Sequence, residues 1–338
     1  MIRLIQLIHP DLGRAVALVD EPSLRLLKGV DSTYALAGRA IAEGVALESL
    51  AKKLATGDTL DYDPIYRGES EWEVLPAFDH PDEPARCQVA GTGLTHIGSA
   101  NNRNAMHAKA AGATGDAPVT DSMRMFQWGV EGGKPAAGKV GVQPEWFYKG
   151  SGLVLRGHNQ ALHVNAFADD GGEEPEVAGA YLIAPDGSPR RVGLAIGNEF
   201  ADHQMERKNY LYLAPSKLRT GALGPELVVG HPFQSVPGKV NIWRDGELVW
   251  TRDINTGEAN MSHSLANLEH HQFKYPEHQR PGDAFVHYFG ADAFSFGAGV
   301  GLEDGDVMEV AWDGFGRPLR NPISIDGGEQ RLVVVKPL

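Results

Sequence analysis

The stretch that most constrains this chain runs from Glu174 to Pro225, where two apolar runs, VAGAYLI and VGLAIG, carry carboxylates at their ends. An ionised side chain beside a buried run must stay in water, take up a proton or meet a cation. Glu174 and Glu176 are two residues apart, and on a strand residues i and i+2 point to one face. Side by side, two carboxylates repel each other unless something positive lies between them. Glu199 closes the second run and could bring a third carboxylate to the same place. Hard oxygen donors suit Mg²⁺, Mn²⁺ or Ca²⁺, and a site with few protein ligands leaves positions for substrate. Lys217 follows in a loop bounded by proline and glycine. Asp169 and Asp170 are rival ligands, but they lie in turn-like sequence, where a solvated aspartate is the ordinary state. An isolated E-x-E is common on solvated faces, so its weight depends on what surrounds it.

Composition narrows the class. A formal charge of −13 argues against nucleic acid as partner, because phosphate neutralisation needs a basic surface. The single cysteine, Cys87, rules out an intrachain disulfide framework and fits a reducing compartment. No apolar run is long enough for a membrane span, and MIRLIQLIHP lacks signal-peptide architecture. A soluble, cytoplasmic protein with no membrane partner is expected.

The high glycine and proline content predicts many turns and short strands. IRLIQLI and RAVALVD read as a hairpin, Ser32 to Ala55 as one helix ended by Gly57-Asp58, and residues 58–85 as a connection over the surface. His96 follows a short apolar strand and a glycine turn, a position suited to acid–base work. A helix is predicted from about Asn101 to Ala111, with His107 inside it. Residues 112–141 read as a cover or a surface excursion carrying Met123, Met125, Phe126 and Trp128. Lys149 sits where a strand enters a glycine turn and could hold a carboxylate or enolate oxygen. His158 and His163 lack the spacing of a helical zinc pair. PGKVNIWRDGELVWTRD is a hairpin around Asp245-Gly246, residues 255–278 a loop leading into a helix, and AFVHYFG, GVGLEDGDVMEVAWDGFG and QRLVVVKPL read as closing strands. No internal repeat and no Gly-rich phosphate loop is present.

In that order, from about residue 86 to residue 322, the pieces resemble the fumarylacetoacetate hydrolase superfamily. VAGTGLTH resembles the strand ending in that family's catalytic histidine, here His96. FYK resembles its Phe-x-Lys strand, here Lys149. EPE resembles its metal pair, Glu174 and Glu176, and Asn198-Glu199 its Asn-Asp step, with Glu in place of Asp. SKLRTGALGP resembles its lysine loop, giving Lys217, and LEDGDVMEVAWDGFGRPLRN its late Gly-Asp strands. The resemblance implies an α+β, mostly β fold: a mixed β-sandwich roll over 86–338 with a small α+β N-terminal domain over 1–85. It also implies a homodimer or higher homo-oligomer. Three departures stand out. Ser99 replaces the glutamate that family hydrolases use to activate water. FGADAFSFG, containing Ala291, replaces a Gly-Thr-Pro turn that binds substrate carboxylate. Ala201-Asp202-His203 replaces Ser-Ala-Arg.

These departures are similar to the GguC-like branch, which contains dehydratases of 2-oxo-3-deoxy pentonates such as 2-dehydro-3-deoxy-arabinonate. The resemblance then implies a lyase of arabinose-type sugar acid catabolism, making 2,5-dioxopentanoate. Glu174, Glu176 and Glu199 would hold Mg²⁺, with Mn²⁺ or Ca²⁺ as alternatives. Lys217, its pKa lowered by burial and nearby cations, would be the base at C3, and His96 or a water the proton donor. Lys149, Ser99 and Ala291 would touch substrate. One alternative is hydrolysis of a 2,4-dioxo acid releasing pyruvate. A second, of another class, is a sugar-acid binding protein without turnover.

Overall fold

The structure, a computed structural model, describes residues 1–110 and 120–338, with the side chains of 102 and 105–110 left aside. Residues 112–119 of the expected cover, and the side chain of His107, lie outside the described residues. The fold is mostly β. Its larger sheet runs, neighbour to neighbour, through strands 55–61, 23–27, 13–20, 2–9, 221–229, 189–198, 175–183, 284–288, 87–91 and 147–151. A smaller sheet runs through 247–256, 236–244, 307–312, 319–325 and 162–164.

The strand Pro175–Ile183 lies near the middle of the larger sheet, and every residue of it is buried. That explains why AYLI reads as a continuous apolar run rather than an alternating one. Ala178, Ala180 and Leu182 pack with Leu36, Ala37 and Ala40 of the N-terminal helix. Val177, Leu194, Ile196 and Val228 pack with Val240, Ile242, Met308, Val310 and Trp312 of the smaller sheet. Both faces of the central strands are thus covered, and a carboxylate carried at their ends is withdrawn from water. The sheet continues across residue 85, since Ile2–Ile5 pair antiparallel with Glu226–Val229.

The predicted N-terminal hairpin forms, with Leu4 opposite Leu18 and His9 opposite Gly13. The single helix expected over 32–55 is instead two, Thr33–Glu43 and Leu47–Leu54. Ser32 caps the first by accepting from the Ala35 N–H, and Gly44 ends it at φ 65°, donating to the Ala40 and Ile41 carbonyls. Periodicity persisted across the glycine because both helices bury apolar faces in the same core. Residues 58–85 are more than a connection. Ala55–Asp61 is a strand pairing Leu60 with Leu24, and Tyr62–Arg67 is a helix.

The Asp245-Gly246 turn has the two positive φ values, 51° and 82°, that a two-residue hairpin loop demands. Ser264 caps the helix Leu265–Phe273. A helix covers Asp121–Gly132, capped by Thr120, where only a cover was expected. The strand expected in QRLVVVKPL does not form: residues 326–338 carry no regular structure, and Leu332–Val335 are 70–89% exposed. β-Branched composition favours a strand only where a partner edge receives it.

Candidate active site

Three carboxylates meet at the ends of the central strands. Glu174 immediately precedes the strand Pro175–Ile183, Glu176 lies within it, and Glu199 immediately follows the strand Pro189–Asn198. The pairing of Pro175 with Asn198 brings the strand ends together. Two further bonds lock them: the Glu199 N–H donates to the Glu174 carbonyl at 3.0 Å, and the Glu174 N–H to Asn198 Oδ1 at 3.2 Å. One oxygen from each of Glu174, Glu176 and Glu199 lies within 4.8 Å of the others, and all three residues are buried. Among the described residues this is the group with metal-ligand geometry. Asp169 is tied to Lys208, while Asp170 accepts from the Gln204 N–H, so neither joins it.

Two lysines enter the cluster. Lys217 Nζ donates to Glu174 Oε1 at 2.6 Å and Glu199 Oε2 at 2.8 Å, and lies 3.2 Å from Glu206 Oε1. Its pKa runs opposite to the expectation. Burial alone would lower it, but Glu174, Glu199 and Glu206 outweigh burial and hold the amine well above the usual lysine range. Lys149 is fully buried and donates to Glu199 Oε1 and to the backbone carbonyls of Glu199, Phe200 and Lys217 at 2.7–3.2 Å. With its hydrogens thus engaged, Lys149 orients Glu199 and braces the lysine loop.

The charges do not balance. Five buried carboxylates, Glu145, Glu174, Glu176, Glu199 and Glu206, face two ammonium groups, the Arg103 guanidinium and the His203 ring. Glu176 is the extreme case. Its carboxylate accepts from the Gly290 N–H at 2.6 Å, and burial followed by Glu199 and Glu174 drives its pKa well above the carboxylate range. An all-oxygen set with this deficit fits a hard divalent cation.

His96 differs from the expected acid–base residue. It is 1% exposed, and both ring nitrogens are engaged, Nδ1 with Thr95 Oγ1 at 2.9 Å and Nε2 with Thr256 Oγ1 at 3.1 Å. The Thr95 hydroxyl donates to the Phe289 carbonyl, so Nδ1 must carry the hydrogen and Nε2 accept from Thr256. Burial pushes its pKa down to about 3, which leaves no imidazolium to give a proton near neutrality. Ser99 Oγ donates to the carbonyl of His96, the residue just before the helix that carries Ser99. Ala291 is buried beside Gly290, whose N–H donates to Glu176.

Several residues of the site escaped the sequence reading. His203, whose only signal was its departure from Ser-Ala-Arg, bonds Glu174 Oε1 through Nε2 at 3.0 Å and stacks on Phe294 at 4.6 Å. It also lines a cavity of about 770 Å³ with Asp170, Arg207 and Ser295. Arg103 NH1 holds both oxygens of Glu145 at 2.7 and 2.8 Å, and its NH2 lies 3.7 Å from Glu206. Glu173, adjacent to the triad, turns away to accept from the Ser295 N–H and hydroxyl.

The larger architecture has close counterparts among solved structures. A 2-keto-3-deoxy-D-arabinonate dehydratase complexed with magnesium and 2,5-dioxopentanoate superposes with a TM-score of 0.67 at 19% identity, covering 96% of this chain and 99% of that one. The chain has the fold of that dehydratase. A 5-carboxymethyl-2-hydroxymuconate delta-isomerase from Mycobacterium smegmatis matches at a TM-score of 0.55 and 16% identity, over 96% of this chain and 100% of that one. In sequence, the chain is 26% identical over 181 residues to 2-dehydro-3-deoxy-D-arabinonate dehydratase of Saccharolobus solfataricus. That match covers 52% of this chain and 57% of the relative, so the chain spans little more than half of the relative's length. No protein-family profile matches. The expected likeness to the dehydratase branch is met in fold by the solved dehydratase and in sequence by the curated relative. Among the described residues no helix is long and apolar enough to cross a membrane.

Proposed function

We propose that this chain is a divalent-cation-dependent hydro-lyase acting on a 2-oxo-3-deoxy sugar acid such as 2-dehydro-3-deoxy-arabinonate, giving 2,5-dioxopentanoate and water. The observation that carries this reading is a buried acidic triad, short of positive charge, with an amine against it. The relative and the solved neighbour named for that dehydratase support it. That solved neighbour is complexed with magnesium and 2,5-dioxopentanoate; Mg²⁺ is accordingly the preferred ion here, with Mn²⁺ or Ca²⁺ as alternatives. A roll of the superfamily type over 86–338 with a smaller unit over 1–85, and assembly into a homo-oligomer, belong to the same reading.

Glu174, Glu176 and Glu199 would hold the ion. When bound, it supplies the charge that polarises a 2-oxo acid and offsets the carboxylates that keep Lys217 protonated. Lys217 stands at the edge of the triad and takes the proton from C3. Lys149 keeps Glu199 aimed into the site. The C4 hydroxyl leaves with a proton delivered by water, since His96 is neutral. Elimination across C3–C4 leaves an enone, a shift of its double bond to C4–C5 (a proton lost from C5 and one gained at C3) gives the C5 enol, and tautomerisation of that enol gives the dioxo product. Hydrolysis of a 2,4-dioxo acid lacks its water-activating carboxylate, because Ser99 occupies that position and donates to the His96 carbonyl. A panel of 2-oxo-3-deoxy pentonates and hexonates with Mg²⁺, read by product mass, tests the reading. One product lighter by water supports it; two fragments, or no turnover on any member, refute it.

A further inference from the structure

Lys217 meets three carboxylates, and only two belong to the triad. Any cation held by Glu174, Glu176 and Glu199 draws on the same groups that accept from Nζ at 2.6 and 2.8 Å. Two like charges cannot share those oxygens without repulsion. Glu206, at 3.2 Å, lies outside the triad, so its contact with the amine does not compete.

Glu206 is itself held firmly. It is 3% exposed, on the short helix His203–Lys208 that follows the third ligand. Ser216 Oγ, one residue before the lysine, donates to the same Oε1 at 2.9 Å. Arg103 approaches the other oxygen at 3.7 Å and is fixed in turn by Glu145. A lysine carries its charge on a long flexible stem, which one aromatic contact, Phe147 at 5.0 Å, does little to restrain.

We propose that Glu206 is a positioning residue for Lys217. It holds the amine at the edge of the triad once Glu174 and Glu199 are engaged, and Ser216 and Arg103 set its own orientation. Glu206 touches neither substrate nor ion. The inference rests on the reading of Lys217 as the base at C3, and it explains why a site with three ligands buries a fourth carboxylate.

The test compares C3 proton exchange in D₂O, followed by NMR on a 2-oxo-3-deoxy pentonate, with Mg²⁺ affinity measured by calorimetry. Misplacing a reacting group by about 1 Å can cost roughly 100-fold, so Glu206→Gln should lower exchange and kcat by about that factor. KM and the Mg²⁺ Kd should stay within about threefold, since uniform binding is untouched. Glu206→Asp, which restores the charge, should recover about tenfold of the loss, and Ser216→Ala should show a smaller loss of the same kind. Wild-type exchange in Glu206→Gln overturns the inference. So does a Mg²⁺ Kd weakened by about tenfold or more, which marks a ligand or its direct support. If Glu206→Gln does not fold, wild-type exchange in Ser216→Ala overturns it. Absence of exchange in the wild type instead overturns the proposed role of Lys217.

Discussion

Two buried glutamates on the same sheet have opposite characters. Glu226, on the strand Gly221–Val229, accepts from the Tyr62 hydroxyl at 3.0 Å and the Arg317 N–H at 3.2 Å, and pairs with Arg3 at 3.0 Å. Arg317 also lies over the Tyr62 ring at 3.9 Å, so the cluster ties residues before 85 to those after 220. Glu176 has one backbone N–H and two carboxylate neighbours. A buried charge surrounded by donors is a joint. One left short of them among its own kind is a site that awaits a cation.

The sharpest way to break the contrast is to neutralise each glutamate. Glu176→Gln should lower Mg²⁺-dependent turnover by about 1,000-fold or more, as loss of electrostatic stabilisation by a single group commonly does. Its metal-free melting temperature should hold or rise, because an uncompensated charge has gone. Glu226→Gln should do the reverse. Turnover should stay within about threefold, while stability in urea should fall by about 1.5–3 kcal/mol, the usual contribution of hydrogen bonds to a charged group. Equal effects of the two substitutions on activity would erase the distinction.

Lys149 sharpens the comparison at the next level down. As a brace for Glu199, Lys149→Met should weaken Mg²⁺ about 10- to 100-fold and leave KM for substrate little changed at saturating metal. A raised KM with unaltered metal affinity would restore it as a substrate contact.

The acidic side of the site was legible in sequence because its chemistry is local. Two glutamates at i and i+2 beside an apolar run, and a third at the end of the next run, need only strand pairing to converge. Lys217 was legible through its loop. The long-range partners were not. Arg103 meets Glu145 across 42 residues and Glu206 across 103, with no spacing to announce either pair. The bond from Lys149 to Glu199 has no sequence signal either, because a glycine turn suggests exposure while the neighbouring strands bury the lysine. The helix break at Gly44 is masked in sequence by continuous periodicity, and the run LVVVK has strand composition but no sheet edge that receives it.

A separate expected effect concerns acid. His96 and His287 are both buried and neutral, with pKa pushed down by burial to about 3. An unfolded histidine takes up a proton below about 6.5 while these do not, so the unfolded state binds more protons in that window and stability falls as pH drops. Each should cost about 1.4 kcal/mol per pH unit between about 6 and 3. Substituting His287 by Gln should flatten part of this slope in urea titrations from pH 7 to 4.5; an unchanged slope would mean the imidazole takes up its proton in the folded state.

The central claim is that a triad short of positive charge holds one divalent ion. Calorimetric titration of the wild type and Glu176→Gln with Mg²⁺ tests it most directly. The account predicts one ion per chain in the wild type and none in the variant over the same concentrations. Equal binding in both, or no binding in the wild type, would contradict it.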